Sequence, residues 1–281
     1  MRNANRRIGV CSWSLRPENA GDLARQLLQT GTSAVQLALD PLRTGEWQAE
    51  ATFGELRASG IEVLSGMVAT RGEDYSSLER IRETGGLRPD AHWEENRESA
   101  RASARLARRM GLTLVSFHAG FLPEEPDDPE RAKLLDRLHT FVDIFADEGV
   151  ALAFETGQES ARTLAEFLEE LDRESVGVNF DPANMLLYDK GDPVEALALL
   201  APWVRQIHVK DAVRTETPDT WGTEVPAGTG QVDWDAFFDV LAARKLEVDL
   251  VIEREAGEKR VVDIQRARAL VAAQLRRIGK A

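Results

Sequence analysis

The feature that most constrains this chain is an eightfold alternation of short β-rich runs with longer amphipathic helical patterns. The runs predict strands at Ile8–Ser12, Ala34–Leu39, Ile61–Val68, Leu112–His118, Val150–Glu155, Val176–Asp181, Val204–Lys210 and Asp249–Glu253. Between them, apolar residues recur at helical spacing in Asp22–Thr30, Ser99–Met110, Glu130–Glu148, Thr163–Leu171, Pro193–Leu200, Trp234–Ala243 and Val261–Ile278. Asp192-Pro193 reads as a helix N-cap followed by proline at the first helical position, and Thr163 with Glu166 has capping-box spacing. Strands that alternate with helices pair in parallel. Eight such units in 281 residues fit a closed (β/α)8 TIM barrel better than an open doubly wound sheet. No Gly-x-Gly-x-x-Gly or P-loop stands at a strand-to-helix junction, which weighs further against the open nucleotide-binding folds. No low-complexity linker interrupts the pattern, so residues 1–281 are expected to form one α/β barrel domain.

Charge and composition narrow the partners. A formal net charge of -13 repels nucleic acid and anionic membranes on average, so only a local basic groove would bind either. The basic stretch Met1–Val10 is not followed by an apolar run of signal-peptide length, and no window approaches the roughly 18 apolar residues of a membrane span. The one cysteine, Cys11, excludes an intrachain disulfide and fits a reducing, cytoplasmic setting; it reads as a small buried strand residue. Arg266, Arg268, Arg276 and Arg277 on the last helix read as a solvated face.

Three segments after strands are long: Ala69–Arg97, Ala119–Pro129 and Asp211–Val232. In a barrel all three stand at the C-terminal ends of the strands, where sites are built, and they are expected to cover one. Gly228 and Gly230 within the last can form a phosphate-cradling turn or a tight loop-to-helix turn, and the second is the simpler reading.

The polar residues inside the strands point to chemistry. Buried parallel strands are normally apolar on both faces. Here Asn179 and Asp181 share a face, as do Gln206, His208 and Lys210, and likewise Val251, Glu253 and Glu255. Phe154, Phe180, Ile207, Val209 and Ile252 occupy the opposite faces, suited to packing on helices. Glu155, Asp181, His208 and Glu253 end four successive predicted strands and so converge at one rim. Three carboxylates crowded without a counter-charge are costly, and a divalent cation removes that cost. Three oxygen ligands and one imidazole suit Mn²⁺, Mg²⁺ or Co²⁺, and Zn²⁺ is compatible. Each residue alone reads as an ion-paired or hydrogen-bonded strand end; a shared metal site accounts for all four.

Phe154-Glu155-Thr156-Gly157, Asn179-Phe180-Asp181-Pro182, His208-Val209-Lys210-Asp211, Gly228-x-Gly230-x-Val232-Asp233-Trp234 and Ile252-Glu253 stand in that order. Together they resemble the xylose isomerase-like TIM barrel superfamily of sugar isomerases and epimerases, over nearly the whole chain. The resemblance implies that Glu155 and Glu253 are both metal ligands and the catalytic acid/base pair. They would flank a ketose whose enediolate the metal stabilises. Asp181 and His208 would be metal ligands only. Lys210 would contact a substrate hydroxyl or carboxylate, or pair with a rim carboxylate. His118 would line the pocket or be a hydrogen-bonded strand-end histidine. Trp13 would pack on a sugar's C–H face or plug the barrel. Glu159 would bind a substrate hydroxyl or be a surface charge. Many members carry His shortly after the aspartate; here the run is Asp181-Pro182-Ala183-Asn184, and Asn184 can hydrogen-bond a hydroxyl but not shuttle a proton.

The leading expectation is therefore a metal-dependent isomerase or epimerase acting on a small-molecule sugar or keto-acid. The alternative is a dehydratase of the same fold acting on an inosose or dehydroshikimate-like ketone. The net charge and a count of four histidines (His92, His118, His139 and His208) disfavour a three-zinc endonuclease. The four metal-ligand types disfavour a non-catalytic binding protein. A homo-oligomer is expected from the resemblance alone.

Overall fold

The computed structural model describes residues 6–217 and 220–279. Residues 1–5 of the basic opening stretch, and 218–219 of the segment after the seventh strand, lie outside the described residues. Eight strands close a parallel barrel: β1 (Ile8–Cys11), β2 (Ala34–Ala38), β3 (Glu62–Met67), β4 (Leu114–Phe117), β5 (Ala151–Glu155), β6 (Val176–Phe180), β7 (Val204–Val209) and β10 (Asp249–Ile252). Each pairs with its sequence neighbour in the barrel, and β1 closes on β10 with Ile8 beside Leu250 and Val10 beside Ile252. Two short strands, β8 (Asp211–Val213) and β9 (Thr223–Val225), form an antiparallel ribbon after β7. All eight expected strands are present, and the chain is an α/β barrel of the (β/α)8 type.

The outward faces carry the main core. Phe154, Phe180, Ile207, Val209 and Ile252 are buried in it. Phe180 meets Phe237 of helix Trp234–Ala243 at 5.9 Å, and Phe117 stacks on Phe141 of helix Pro129–Ala146 at 5.3 Å. The inner faces are polar but satisfied. Ser65 Oγ donates to Gln206 Oε1 at 2.6 Å, Gln206 Nε2 donates to Asn179 Oδ1 at 3.3 Å, and Gln36 Nε2 donates to Ser116 Oγ at 2.8 Å. These fully buried groups would be destabilising if unpaired; joined across the barrel, they fix the strand register and support the rim above.

Several helices differ from the sequence expectation. Helix Trp93–Arg109 starts six residues early, because Trp93 packs on Phe141 although the polar stretch that follows it shows no apolar period. Ser160, not Thr163, caps helix Ala161–Leu171: its Oγ accepts from Thr163 N at 3.1 Å, since Ala161 and Arg162 already sit in the first turn. The Asp192-Pro193 cap forms as expected. Short helices at Asp40–Thr44, Ala49–Ala58, Leu78–Thr84 and Pro182–Leu187 have too few turns or too diluted an apolar pattern to be read from periodicity.

The glycine turn binds an anion, but the anion belongs to the chain. Asp211, buried at the start of β8, accepts from Gly228 N (2.8 Å), Gly230 N (3.1 Å), Val232 N (3.2 Å) and Trp234 Nε1 (3.0 Å). Gly230 is required because a Cβ there would stand 2.2 Å from Asp211 Oδ1. This closed loop leaves no vacancy for a phosphate. Asp211→Ala strands these donors out of water and is expected to destabilise the fold by about 3 kcal/mol or more, with Asp211→Asn losing less. Urea unfolding of both variants checks this, and an unchanged midpoint for Asp211→Ala would contradict it.

Candidate metal centre and substrate cavity

Four strand ends place their side chains together. One ligand atom from each of Glu155, Asp181, His208 and Glu253 lies within 4.8 Å of every other, and all four residues are buried. Asp181 is the N-cap of helix Pro182–Leu187, with proline at the first helical position. Its Oδ1 accepts from Ala183 N at 2.8 Å and Asn184 N at 3.1 Å, while its Oδ2 has no partner. His208 Nε2 lies 2.7 Å from Gln36 Oε1 and 2.9 Å from Asn179 Nδ2, so this ring nitrogen is engaged by the polar floor of the barrel. His208 Nδ1 is then turned to the carboxylates, 3.3 Å from Glu155, 3.5 Å from Glu253 and 3.9 Å from Asp181, with no hydrogen-bond partner.

Further side chains fix the two glutamates. Glu253 Oε1 accepts from Trp13 Nε1 at 2.7 Å, and its Oε2 accepts from Lys210 Nζ at 2.8 Å. Trp13 is itself set by the 3-10 turn Ser12–Leu15, whose Ser12 and Ser14 hydroxyls accept from Ala38 N and Arg254 N. Glu155 Oε1 accepts from Asn184 Nδ2 at 3.1 Å, its Oε2 accepts from Asn179 Nδ2 at 3.3 Å, and His118 Nε2 stands 3.9 Å away. Lys210 Nζ also reaches Glu255 at 2.6 Å and lies 3.7 Å from Asp181 Oδ2.

The electrostatics follow from this crowding. Burial pushes Asp181 well above the usual carboxylate range, against the pull of Lys210. Burial acts the same way on Glu253, but Lys210 and His208 outweigh it and hold the group well below that range. His208 is raised well above its usual value: burial opposes this, and the Cys11 sulfur, Glu155 and Glu253 overcome it. Within the buried set, three carboxylates face one ammonium, so two negative charges stay uncompensated when His208 is neutral. The unpartnered Asp181 Oδ2 and His208 Nδ1 thus form, with Glu155 and Glu253, a donor set whose charge and chemistry fit a divalent cation.

Above the cluster lies a cavity of about 510 Å3. Trp13, His118, Asn184 and Lys210 line it and also touch the cluster glutamates. The expected site residues therefore meet here, with one exception. Glu159 is buried after β5 rather than on the surface, does not line the cavity, and is raised to about 8 by burial despite nearby Lys190. Of the long segments, the first contributes Ala69, Glu73 and Tyr75 to the wall and the third Trp221; Phe121 of the second packs against Tyr188. Tyr75, Tyr188, Asp40, Glu73 and Glu255 were not singled out as lining residues from sequence. Only Glu255 carried a signal, its shared face with Glu253; the tyrosines stand outside any apolar period. Cys11 is fully buried beneath His208, with Sγ 3.6 Å from Nε2. His92 and His139 lie in a 3-10 turn and a helix and do not line the cavity.

Residues 24–276 match the xylose isomerase-like TIM barrel family. The chain belongs to that family. The crystal structure of a xylose isomerase domain protein from Planctomyces limnophilus superposes with a TM-score of 0.85 at 32% identity, covering 92% of this chain and 93% of that one. An L-ribulose 3-epimerase structure shares the fold at a TM-score of 0.75 and 17% identity, covering 98% and 96%. A curated relative, Escherichia coli (strain K12) protein YihM, is 30% identical over 79 residues, which span 28% of this chain and only 24% of YihM. Among the described residues no helix is long and apolar enough to cross a membrane.

Both Asp181 and His208 are raised, so protons compete with a cation for these two ligands. Mn²⁺ affinity is therefore expected to rise with pH, with proton release visible as a buffer-dependent heat in titration calorimetry. Affinity independent of pH would contradict the donor set.

Proposed function

We propose that the protein is a divalent-cation-dependent isomerase or epimerase of sugars or related keto compounds, with Glu155 and Glu253 as its acid/base pair. One observation carries this reading: two carboxylates, from the end of β5 and from just after β10, flank the unpartnered Asp181 Oδ2 and His208 Nδ1 from opposite sides. In the barrel, β6 and β7 separate those two strands. Glu155, Asp181, His208 and Glu253 would hold the cation, and Mn²⁺, Mg²⁺ or Co²⁺ suits the oxygen-rich set. When bound, such an ion polarises a ketone and its neighbouring hydroxyl and so acidifies the adjacent C–H.

The chain's own groups account for the rest. One glutamate accepts the proton from the substrate carbon, and the other returns a proton. Return to the opposite face of the same carbon gives epimerisation, and return to the neighbouring carbon gives isomerisation. Trp13 and Lys210 hold both oxygens of Glu253, so the carboxylate is fixed before substrate arrives. Lys210, His118 and Asn184 line the cavity and would bind substrate oxygens, and the Trp13 ring would offer a face to C–H groups. Asp181 and His208 act only by holding the ion.

Solvent-deuterium incorporation into a panel of ketoses, keto-acids and inososes tests the reading, because exchange reports proton abstraction whatever the product. Exchange dependent on Mn²⁺, lost by about 10²–10⁴-fold in Glu155→Gln and in Glu253→Gln with metal still bound, is expected. Full exchange in Glu155→Gln would overturn the assignment. An ultraviolet-absorbing conjugated ketone among the products would replace it with the dehydratase.

A further inference from the structure

The cavity has two kinds of wall. The lining residues that touch the cluster carry polar groups, whereas Met67, Val68, Tyr75, Leu187, Tyr188 and Trp221 form an apolar and aromatic wall beside the carboxylates of Asp40, Glu73 and Glu255. That wall has its own support. Ile81, Phe121 and Tyr188, with Leu78, Leu187 and Trp221 against them, make a hydrophobic cluster separate from the main core. Tyr188 meets Trp221 edge-on at 4.8 Å and Phe121 at 5.8 Å. All three long post-strand segments contribute to this cluster, together with the end of helix Pro182–Leu187. Tyr75 keeps 45% of its surface exposed, an unusual investment for an aromatic ring with no interior role.

Size and charge narrow what fits there. The cavity lies within the roughly 300–1,000 Å3 range of pockets for drug-sized ligands. Its charged lining groups are Asp40, Glu73, Glu255 and Lys210, with no arginine among them. Lys210 is already engaged by Glu253 and Glu255, and Glu73 accepts only from the Thr70 and Tyr75 hydroxyls. Asp40 pairs with Arg43, so a phosphate would meet the carboxylates of Glu73 and Glu255 with Lys210 already paired and His118 the remaining basic group, whereas an uncharged flat group would meet aromatic faces and edges.

We infer that the substrate is a glycoside: a pyranose unit at the cluster carrying an uncharged aryl aglycone against Tyr75, Tyr188 and Trp221. A glycosidic bond keeps the ring closed, so the ketone must be at a ring carbon, with the exchanging C–H beside it. This rests on the proposed proton-transfer reading for the sugar unit; the aglycone wall stands on the cavity alone.

The test uses phenyl and methyl β-D-glucopyranoside, galactopyranoside and xylopyranoside as matched probes, with glucose 6-phosphate as the charged arm. Binding to the Mn²⁺-treated protein is followed by tryptophan fluorescence and calorimetry. In at least one pair the phenyl member is expected to bind about tenfold or more tightly than its methyl partner. Tyr75→Ala and Trp221→Ala should each erase that preference and leave Mn²⁺ affinity unchanged; Tyr75 is exposed enough that its truncation does not threaten folding. Equal binding within every pair, no phenyl member bound at millimolar concentration, or tighter binding of glucose 6-phosphate would overturn the inference. Failure of Mn²⁺ to bind, with the phenyl preference intact, would instead remove the proton-transfer reading and leave the aglycone wall standing.

Discussion

Three carboxylates held out of water at one rim are the constraint around which the rest is arranged. Glu155, Asp181 and Glu253 would repel one another if each stood alone, and burial makes that repulsion expensive. The chain answers with opposite charge and with geometry. Lys210 contacts two of the three, His208 faces all three, and each carboxylate keeps at least one oxygen occupied by a neutral donor. What stays open is one oxygen of Asp181 and one nitrogen of His208, and the residual charge is what a divalent ion would cancel. The arrangement is unfavourable as pure scaffolding and intelligible as a binding site.

Barrel closure makes such a rim possible. The interior amides and hydroxyls of Gln36, Ser65, Ser116, Asn179 and Gln206 bond to one another across strands distant in sequence, so the floor beneath the cluster is polar and cross-linked. The loops above are tied down in the same way. Asp211 gathers the turn from Gly228 to Trp234, and Glu224 on β9 accepts from Glu255 N and Ala256 N while pairing with buried Arg254. The backbone that presents Glu253 is therefore clamped from both the ribbon and the barrel. Positioning comes from buried polar contacts, which tolerate little displacement, rather than from apolar packing, which tolerates more.

How far the sequence could be read follows from which interactions are local. Strands were legible because β-rich runs and their polar termini are one-dimensional patterns; the same alternation that placed Asn179 and Asp181 on one face also placed the whole cluster at one rim. Helix Pro182–Leu187 was not read, although Asp181-Pro182 carries the same cap signature as Asp192-Pro193. Its six residues show no period, and the aspartate serves the cluster and the cap at once. Trp13 was legible as a residue beside the first strand, but its bond to Glu253 joins positions at opposite ends of the chain. The pairing of Asp211 with Gly228 and Gly230 was hidden for the same reason. A glycine turn before a helix invites an anion, and nothing in a linear pattern says that the chain supplies its own.

The aromatic wall shows the limit most sharply, because its members have no periodic or motif signal. Both tyrosines of the chain line the cavity, Tyr75 from the middle of a polar segment and Tyr188 from the end of a short helix. Their placement depends on three insertions folding back onto one another, an event fixed by tertiary contact alone. Such insertions vary without disturbing the strand ends, so a barrel can keep one proton-transfer centre while changing what it admits. The division seen here follows that logic: strand termini supply carboxylates and donors, and long segments supply Tyr75 and Trp221 of the aromatic wall. A substrate that used only the first would leave the exposed face of Tyr75 at the mouth uncovered, which is why the outer wall, more than the cluster, bears on the identity of the substrate.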